Sequence, residues 1–261
     1  MEHPRHTVLS AALAAAASCA VPPALANGYG YGNGNDCAGL PSHGQLKAAL
    51  TAAVAAESSG LNFHMWATVV NRDGEVCAVA FSGPDRGAQW PGSRVISAQK
   101  ANTANAFGLD GLALSTANLY SAVQPGGSLY GLQHSNPVDT SVAYGGNSAL
   151  NGTAADFMVG RKIGGVNVFG GGLGLYNPGR KIIGGVGVSG DTSCADHMIA
   201  WRVRNALALD YVPSGPAKLF AGDPTHPDNI IYDIGAAGSA SGFGHPTCLN
   251  TANAGALPPA K

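Results

Sequence analysis

The chain has 261 residues, of which 45% are hydrophobic and 11% charged, and its formal net charge is −1. This length allows one large domain or two small ones with a buried core. The near-neutral composition lacks the basic face of a nucleic-acid binder, and no apolar run reaches the roughly 20 residues of a membrane-spanning helix. The 38 glycines follow no Gly-X-Y period, which excludes collagen.

The N-terminus has the pattern of a secretory signal peptide over residues 1–26. Arg5 gives a weak positive start, a short apolar stretch follows, and Ala24-Leu25-Ala26 forms an A-x-A cleavage site. The glycine-rich segment 27–42 comes next, and its first part cannot continue a helix. We therefore expect an exported protein, periplasmic or secreted.

The cysteines fit an exported chain. Cys19 lies in the predicted signal peptide, and Cys37, Cys77, Cys194 and Cys248 remain. Four cysteines predict disulfides but allow three pairings, between which the sequence alone does not decide. We favour Cys37–Cys77, which would tie the N-terminal segment to a strand, and Cys194–Cys248, which would tie the tail to a helix start.

The first elements follow from hydrophobic periodicity. Residues 41–59 predict an amphipathic helix with Ser42 at its N-cap. Residues 66–71 and 75–82 are rich in β-formers and flank Asp73-Gly74, a pattern typical of a hairpin.

The middle of the chain alternates helix and irregular sequence. Residues 93–108 predict a helix that is rich in small residues, and residues 115–123 a shorter one. Residues 124–156 form a long insert without a clear period, whose apolar content argues against disorder.

A near-repeat suggests a second hairpin. Residues 163–170 and 183–190 share the pattern I-G-G-V-x-V-x-G and flank a turn sequence, which predicts two antiparallel strands. Their alternating glycines leave one face bare, so that a helix or a flat ligand could approach closely. A helix over residues 193–210 follows, with a capping box from Ser193 to Asp196.

The element order predicts an α+β domain. Two hairpins with helices between them imply an antiparallel sheet of four or five strands flanked by helices, a profilin-like sandwich. We place this domain at residues 43–213, with the insert at 124–156 and a Pro/Gly-rich tail at 214–261.

Few side chains stand out as functional candidates. Lys100 is either an ordinary surface lysine or a cation that faces a ligand carboxylate, and Arg94 could join it. His64 and His134 are either structural or metal-ligating, since the chain has no H-x-x-x-H or H-E-x-x-H pattern. A haem needs only one axial side chain, an apolar pocket and cations for its propionates, and the chain has candidates for each.

Three segments resemble one known family. Val69-Val70-Asn71-Arg72-Asp73-Gly74, the helix 98–107 with Lys100 and Thr103, and the strand 183–190 followed by Asp196 are similar to motifs of the GlcG/HbpS-type haem-binding family. The resemblance covers roughly residues 45–210. It implies a haem-binding αβ domain that commonly assembles into homo-oligomers, with some members exported and linked to redox sensing or haem handling.

The favoured hypothesis is an exported, non-enzymatic haem-binding protein. Its pocket would lie between the sheet and the Lys100 helix, with the insert as a lid. His64 or His134 would be the axial ligand, and Arg94 and Lys100 would face the propionates. Two alternatives stay open: a haem-degrading or peroxidase-like enzyme, and a disulfide-stapled module that binds a small organic acid or a partner oxidoreductase.

Overall fold

A four-stranded antiparallel sheet in the order β2-β1-β4-β3 organises the chain. The computed structural model describes residues 37–261, and the predicted signal peptide lies outside the described residues. The predicted α+β class is confirmed, with a short β5–β6 hairpin in the tail. The elements are α1 (His43–Ala55), β1 (Trp66–Asn71), β2 (Val76–Phe81), α2 (Ser93–Phe107), α3 (Thr140–Ala143), β3 (Gly172–Tyr176), β4 (Ile182–Ser189), α4 (Ser193–Ala206), β5 (Ile234–Gly235) and β6 (Gly238–Ser239).

Local sequence signals set the first elements as predicted. Ser42 caps α1 by accepting the Gln45 backbone N–H, and the Gln45 side chain accepts the Ser42 backbone N–H in return. Gly74 has the positive φ of +77° that the β1–β2 turn requires. The Asn71 side chain accepts the backbone N–H groups of Asp73 and Glu75, which closes the turn.

The sheet buries both of its faces. Helices α1 and α4 pack on one face against side chains such as Val69, Leu173 and Val186. Helix α2 and the insert cover the other face, where Trp66 and Val70 are buried. Because side chains alternate along a strand, β1 and β2 contribute to both cores, whereas β3 and β4 contribute side chains to the α1–α4 core.

A stripe of glycines on β3 and β4 brings α2 against the sheet. Gly172, Gly185 and Gly187 all point toward α2. A Cβ atom on Gly187 would collide with the Ser97 carbonyl oxygen, and one on Gly185 with the Ala101 carbonyl oxygen. The helix therefore occupies the bare face that the sequence predicted. This corrects the expectation of a ligand pocket between the sheet and the Lys100 helix.

The predicted strand over residues 163–170 is wrong, and β3 lies after it. Gly164 and Gly165 have φ values of +63° and +79°, which a regular strand does not allow. The chain pairs with β4 only after Gly171, from the register Gly172↔Gly187 onward. The two similar peptides thus have different backbone conformations.

The tail packs on α4. Arg204 of α4 forms an ion pair with Asp228 at 2.6 Å, and both side chains are fully buried. The Trp201 indole N–H donates to the Pro258 carbonyl oxygen at 2.8 Å. These buried contacts attach the tail to α4.

Two disulfides join distant segments. Cys37 is bonded to Cys77 of β2, and Cys194 of α4 is bonded to Cys248 of the tail. These are the two pairs that the sequence analysis favoured.

No helix within residues 37–261 combines the length and the apolar character needed to cross a membrane.

The glycine stripe can be tested by adding one methyl group. We expect Gly187→Ala to lower the free energy of unfolding by roughly 1–3 kcal/mol, because the new Cβ meets α2 backbone that cannot move aside. Gly44→Ala on α1 is the matched control, since nothing lies within 4 Å of its Cβ position. Urea denaturation of both variants measures the effect. Equal midpoints for Gly187→Ala and the parent protein would contradict the direct packing of α2 on β4.

Candidate functional site

Lys100 connects α2 to α4 across the end of β4. Its ammonium group donates to Asp196 Oδ2 at 2.6 Å and to the Val188 carbonyl oxygen at 3.1 Å. The other Asp196 oxygen accepts the Asp191 backbone N–H. Burial raises the pKa of Asp196 to about 6, and the neighbouring Lys100 opposes this rise. Asp196 therefore serves this ion pair, and Thr192 caps α4 instead of the predicted Ser193–Asp196 box.

Arg94 organises the insert from the first turn of α2. Its Nε and Nη2 atoms donate to both oxygens of Asp156 at 2.8 and 2.5 Å, and Nη1 donates to the Ala143 carbonyl oxygen. Asp156 also accepts backbone N–H groups from Gly152 and Met158. This bidentate pair fixes the insert against the helix.

These contacts correct the roles predicted for the cations. Lys100 is 1% exposed and Arg94 is 4% exposed, and each is saturated by a buried carboxylate. Neither can reach the propionates of a ligand at the surface. Thr103 is buried as well, because its hydroxyl donates to the Gln99 carbonyl oxygen and accepts the Asn167 backbone N–H.

The two candidate axial histidines lie apart in the structure. His134 is exposed within a run of turns in the insert. His64 is half-buried directly before β1 and faces Ser82 and Phe81. No contact within residues 37–261 joins the two imidazoles.

A hydrogen bond orients the His64 ring. Its Nδ1 atom lies 3.3 Å from the Ser82 hydroxyl oxygen, which also accepts the Met65 backbone N–H at 2.8 Å. In the tautomer with the proton on Nδ1, His64 donates to Ser82 and Nε2 keeps its lone pair. No hydrogen bond from the described residues reaches Nε2, which leaves this nitrogen available as a ligand.

Exposed hydrophobic side chains flank His64. Leu61, Phe63 and Trp90 are 41%, 38% and 51% exposed, and the Phe63 and Trp90 rings meet edge-to-face at 5.2 Å. We call these three residues and His64 the His64 surface. Contiguous exposed hydrophobic side chains are typical of binding surfaces in soluble proteins. Sequence reasoning found His64 but missed its neighbours, because loop residues carry no periodic signal.

Backbone contacts make this surface rigid. The Asp191 carboxylate accepts the backbone N–H groups of Leu61 and Phe63 at 2.8 and 3.1 Å. The Gln89 side-chain amide donates to the carbonyl oxygens of His64 and Gly190. The segments that carry Phe63 and Trp90 are thus both tied to the end of β4.

A second pair of histidines is buried beside the tail. His197 on α4 is fully buried, with a weak hydrogen bond between its ring and the Asn229 side chain, and burial lowers its pKa well below the usual value. His245 donates from Nδ1 to the Pro246 carbonyl oxygen at 2.8 Å and accepts the Gly170 backbone N–H at Nε2. Burial lowers the pKa of His245 too. Both rings are neutral at pH 7 and were not candidates on sequence grounds.

Comparison with known proteins identifies the family. The family model described as haem degrading protein HbpS-like matches residues 43–204, more than half of the chain. The chain belongs to this family. The resemblance seen in the sequence motifs is therefore confirmed. No curated protein matches the chain.

Two solved structures are similar to the HbpS-like chain. One is the Klebsiella pneumoniae protein ORFY, with 26% identity and a TM-score of 0.43, covering 63% of this chain and 86% of that protein. The other is a PduOC:haem complex, with 25% identity and a TM-score of 0.43, covering 62% of this chain and 89% of that protein.

The structural role of Lys100 gives a stability prediction. We expect Lys100→Met to lower the free energy of unfolding by about 3–5 kcal/mol, because it leaves Asp196 buried without its partner. The double variant Lys100→Met/Asp196→Asn should recover part of this loss. Lys181→Met, from the exposed pair with Asp110, is the matched control and should leave the denaturation midpoint unchanged. Equal denaturation midpoints for Lys100→Met and Lys181→Met would refute a stabilising role for the Lys100–Asp196 ion pair.

Proposed function

We propose that this chain is an exported haem-binding protein with a role in haem handling or redox sensing, and that haem binds at the His64 surface. Membership of the HbpS-like family supports haem as the ligand. The observation that supports this location is the unpartnered Nε2 of His64, on a segment that also carries the exposed Phe63. The predicted signal peptide and the two disulfides favour an oxidising, exported location.

The donor chemistry of the His64 surface fits haem. An imidazole nitrogen is a common axial ligand, and the macrocycle needs apolar surface on which to pack. When Nδ1 carries the ring proton and donates it to Ser82, the Nε2 lone pair of His64 is free for the iron. Phe63 and Trp90 supply flat apolar contact area and reduce the access of water. When bound, the haem iron would supply the redox chemistry.

The propionates need cations other than Arg94 and Lys100. Arg86 is exposed on a 3-10 turn, four residues before Trp90 on the same loop. Its Nη1 atom donates to the Ser148 hydroxyl at 2.7 Å, which holds it against the insert. We assign Arg86 the role first predicted for the buried cations.

A haemin titration of residues 27–261, the chain without its predicted signal peptide, tests whether haem binds at the His64 surface. We expect His64→Ala to weaken the saturable Soret shift at least tenfold, because it removes the axial nitrogen while the surrounding loop keeps its Asp191 contacts. His134→Ala is the matched control and should bind like the parent protein. Loss of the shift in His134→Ala but not in His64→Ala would refute the site, and a flat titration of the parent would refute haem binding.

Haem degradation is the second candidate function, since the family description names it. The two functions differ in whether the haem remains chemically intact. We expect the Soret band of the complex to persist when a reductant and oxygen are added, because carriage and sensing need an intact cofactor. Loss of more than one equivalent of haem per protein, dependent on His64, would instead show an enzyme.

A further inference from the structure

Two short motifs face each other where the tail meets α4. Cys194 and His197 form a C-x-x-H pair at the start of α4, and His245 and Cys248 form an H-x-x-C pair in the tail. Structural zinc sites take their four ligands from cysteine and histidine side chains. The tail pair lies beyond residue 204, where the family match ends.

The structure places three donor atoms of this set together. The sulfur atoms of Cys194 and Cys248 and a ring nitrogen of His245 all lie within 4.8 Å of one another. The distance from Cys194 Sγ to His245 Nδ1 is 4.0 Å. Cys194 and His245 are each 1% exposed, and Cys248 is partly buried, so two of the three donors are shielded from solvent. Two sulfurs and an imidazole suit zinc and other borderline cations rather than calcium or magnesium.

His197 is the fourth member of the set. It follows Cys194 by three residues on α4 and therefore lies on the same helix face. Gly170 borders both histidines: its Cβ position is 3.1 Å from His197 Cβ, and its N–H donates to His245. The fully buried His197 ring has a weak hydrogen bond with the Asn229 side chain and no well-aligned partner among residues 37–261, so a metal would give one ring nitrogen a strong bond.

The position of Cys248 favours the thiolate that a metal requires. Its sulfur accepts the Cys194 backbone N–H at 3.2 Å and lies 3.5 Å from the Ser193 hydroxyl. Both donors belong to the first turn of α4, a helix of 14 residues. Backbone N–H groups at a helix N-terminus stabilise a thiolate.

We propose that reduction of the Cys194–Cys248 disulfide creates a zinc-type metal site formed by Cys194, Cys248 and His245, with His197 as the fourth ligand. A dithiol gives two electrons and two protons to the disulfide, which becomes two thiols while the dithiol becomes a disulfide. One Zn²⁺ then displaces both thiol protons. His245 binds through Nδ1, and its ring proton moves to Nε2 at the expense of the bonds to Pro246 and Gly170. A small-molecule disulfide takes two electrons from the two thiolates and, with two protons from water, becomes a dithiol, while the Cys194–Cys248 disulfide re-forms and Zn²⁺ is released.

The test is a zinc titration of the full chain without haem, against a chromophoric chelator. A phosphine reduces the disulfides: phosphine, disulfide and water give phosphine oxide and two thiols. We expect one tightly bound Zn²⁺ in the reduced protein and none in the oxidised protein. Cobalt in place of zinc should show thiolate-to-cobalt charge-transfer absorption. The absence of this absorption in the reduced parent protein would overturn the proposal, whatever the folding of any variant.

The second disulfide provides the matched control. The double variant Cys37→Ser/Cys77→Ser should bind zinc like the parent protein, and Cys194→Ser/Cys248→Ser should not bind it. We expect His245→Phe to weaken binding at least 100-fold and His197→Phe at least tenfold. Unchanged affinity in His245→Phe would overturn the site, and unchanged affinity in His197→Phe would overturn the fourth ligand. His64→Ala should bind zinc normally, which separates this result from the haem proposal.

Discussion

The fold depends on the direct packing of α2 on a sheet face made of glycine. Gly185 and Gly187 of β4 let the backbone of α2 lie directly against this strand, without side chains between the two at these positions. The same closeness lets Lys100 extend past the end of β4 to Asp196. It also fills the space in which a flat cofactor would otherwise lie. We therefore propose that haem binds on the outer surface of this chain.

Three buried ion pairs join the remaining parts to this centre. Arg94 holds the insert through Asp156, Lys100 holds α4 through Asp196, and Arg204 holds the tail through Asp228. Removing charges from water is costly, and such pairs add little net stability when compared with a well-packed apolar core. They define which segments meet, because each unpaired charge would be strongly unfavourable. They place three of the 14 lysines and arginines, Arg94 and Lys100 among them, where they are paired with buried carboxylates.

Local signals were sufficient for most elements of the fold. The Ser42 cap, the Asp73-Gly74 turn and the helical periodicities each depend on neighbours within four residues. The strand over residues 163–170 was wrongly predicted because composition does not give the sign of φ at Gly164 and Gly165. The burial of the Lys100 side chain could not be predicted for another reason: its partner Asp196 is 96 residues away in the sequence.

The candidate site was only partly accessible from the sequence. His64 was a candidate from its residue type, but its aromatic neighbours come from two loops that the end of β4 brings together. The cluster of Cys194, His197, His245 and Cys248 was missed because the patterns considered joined like residues. A search for mixed C-x-x-H and H-x-x-C pairs would have found it. Its second half lies in the tail, which no periodic pattern marks as part of the core.

Hydrogen–deuterium exchange with and without haemin tests the central claim most directly. If α2 fills the face of the sheet and haem binds outside, saturating haemin will slow exchange in residues 61–65 and 88–90 and leave α2 and β4 unchanged. Protection concentrated in residues 93–107 and 182–189 would instead place the cofactor between helix and sheet, and would contradict binding at the His64 surface.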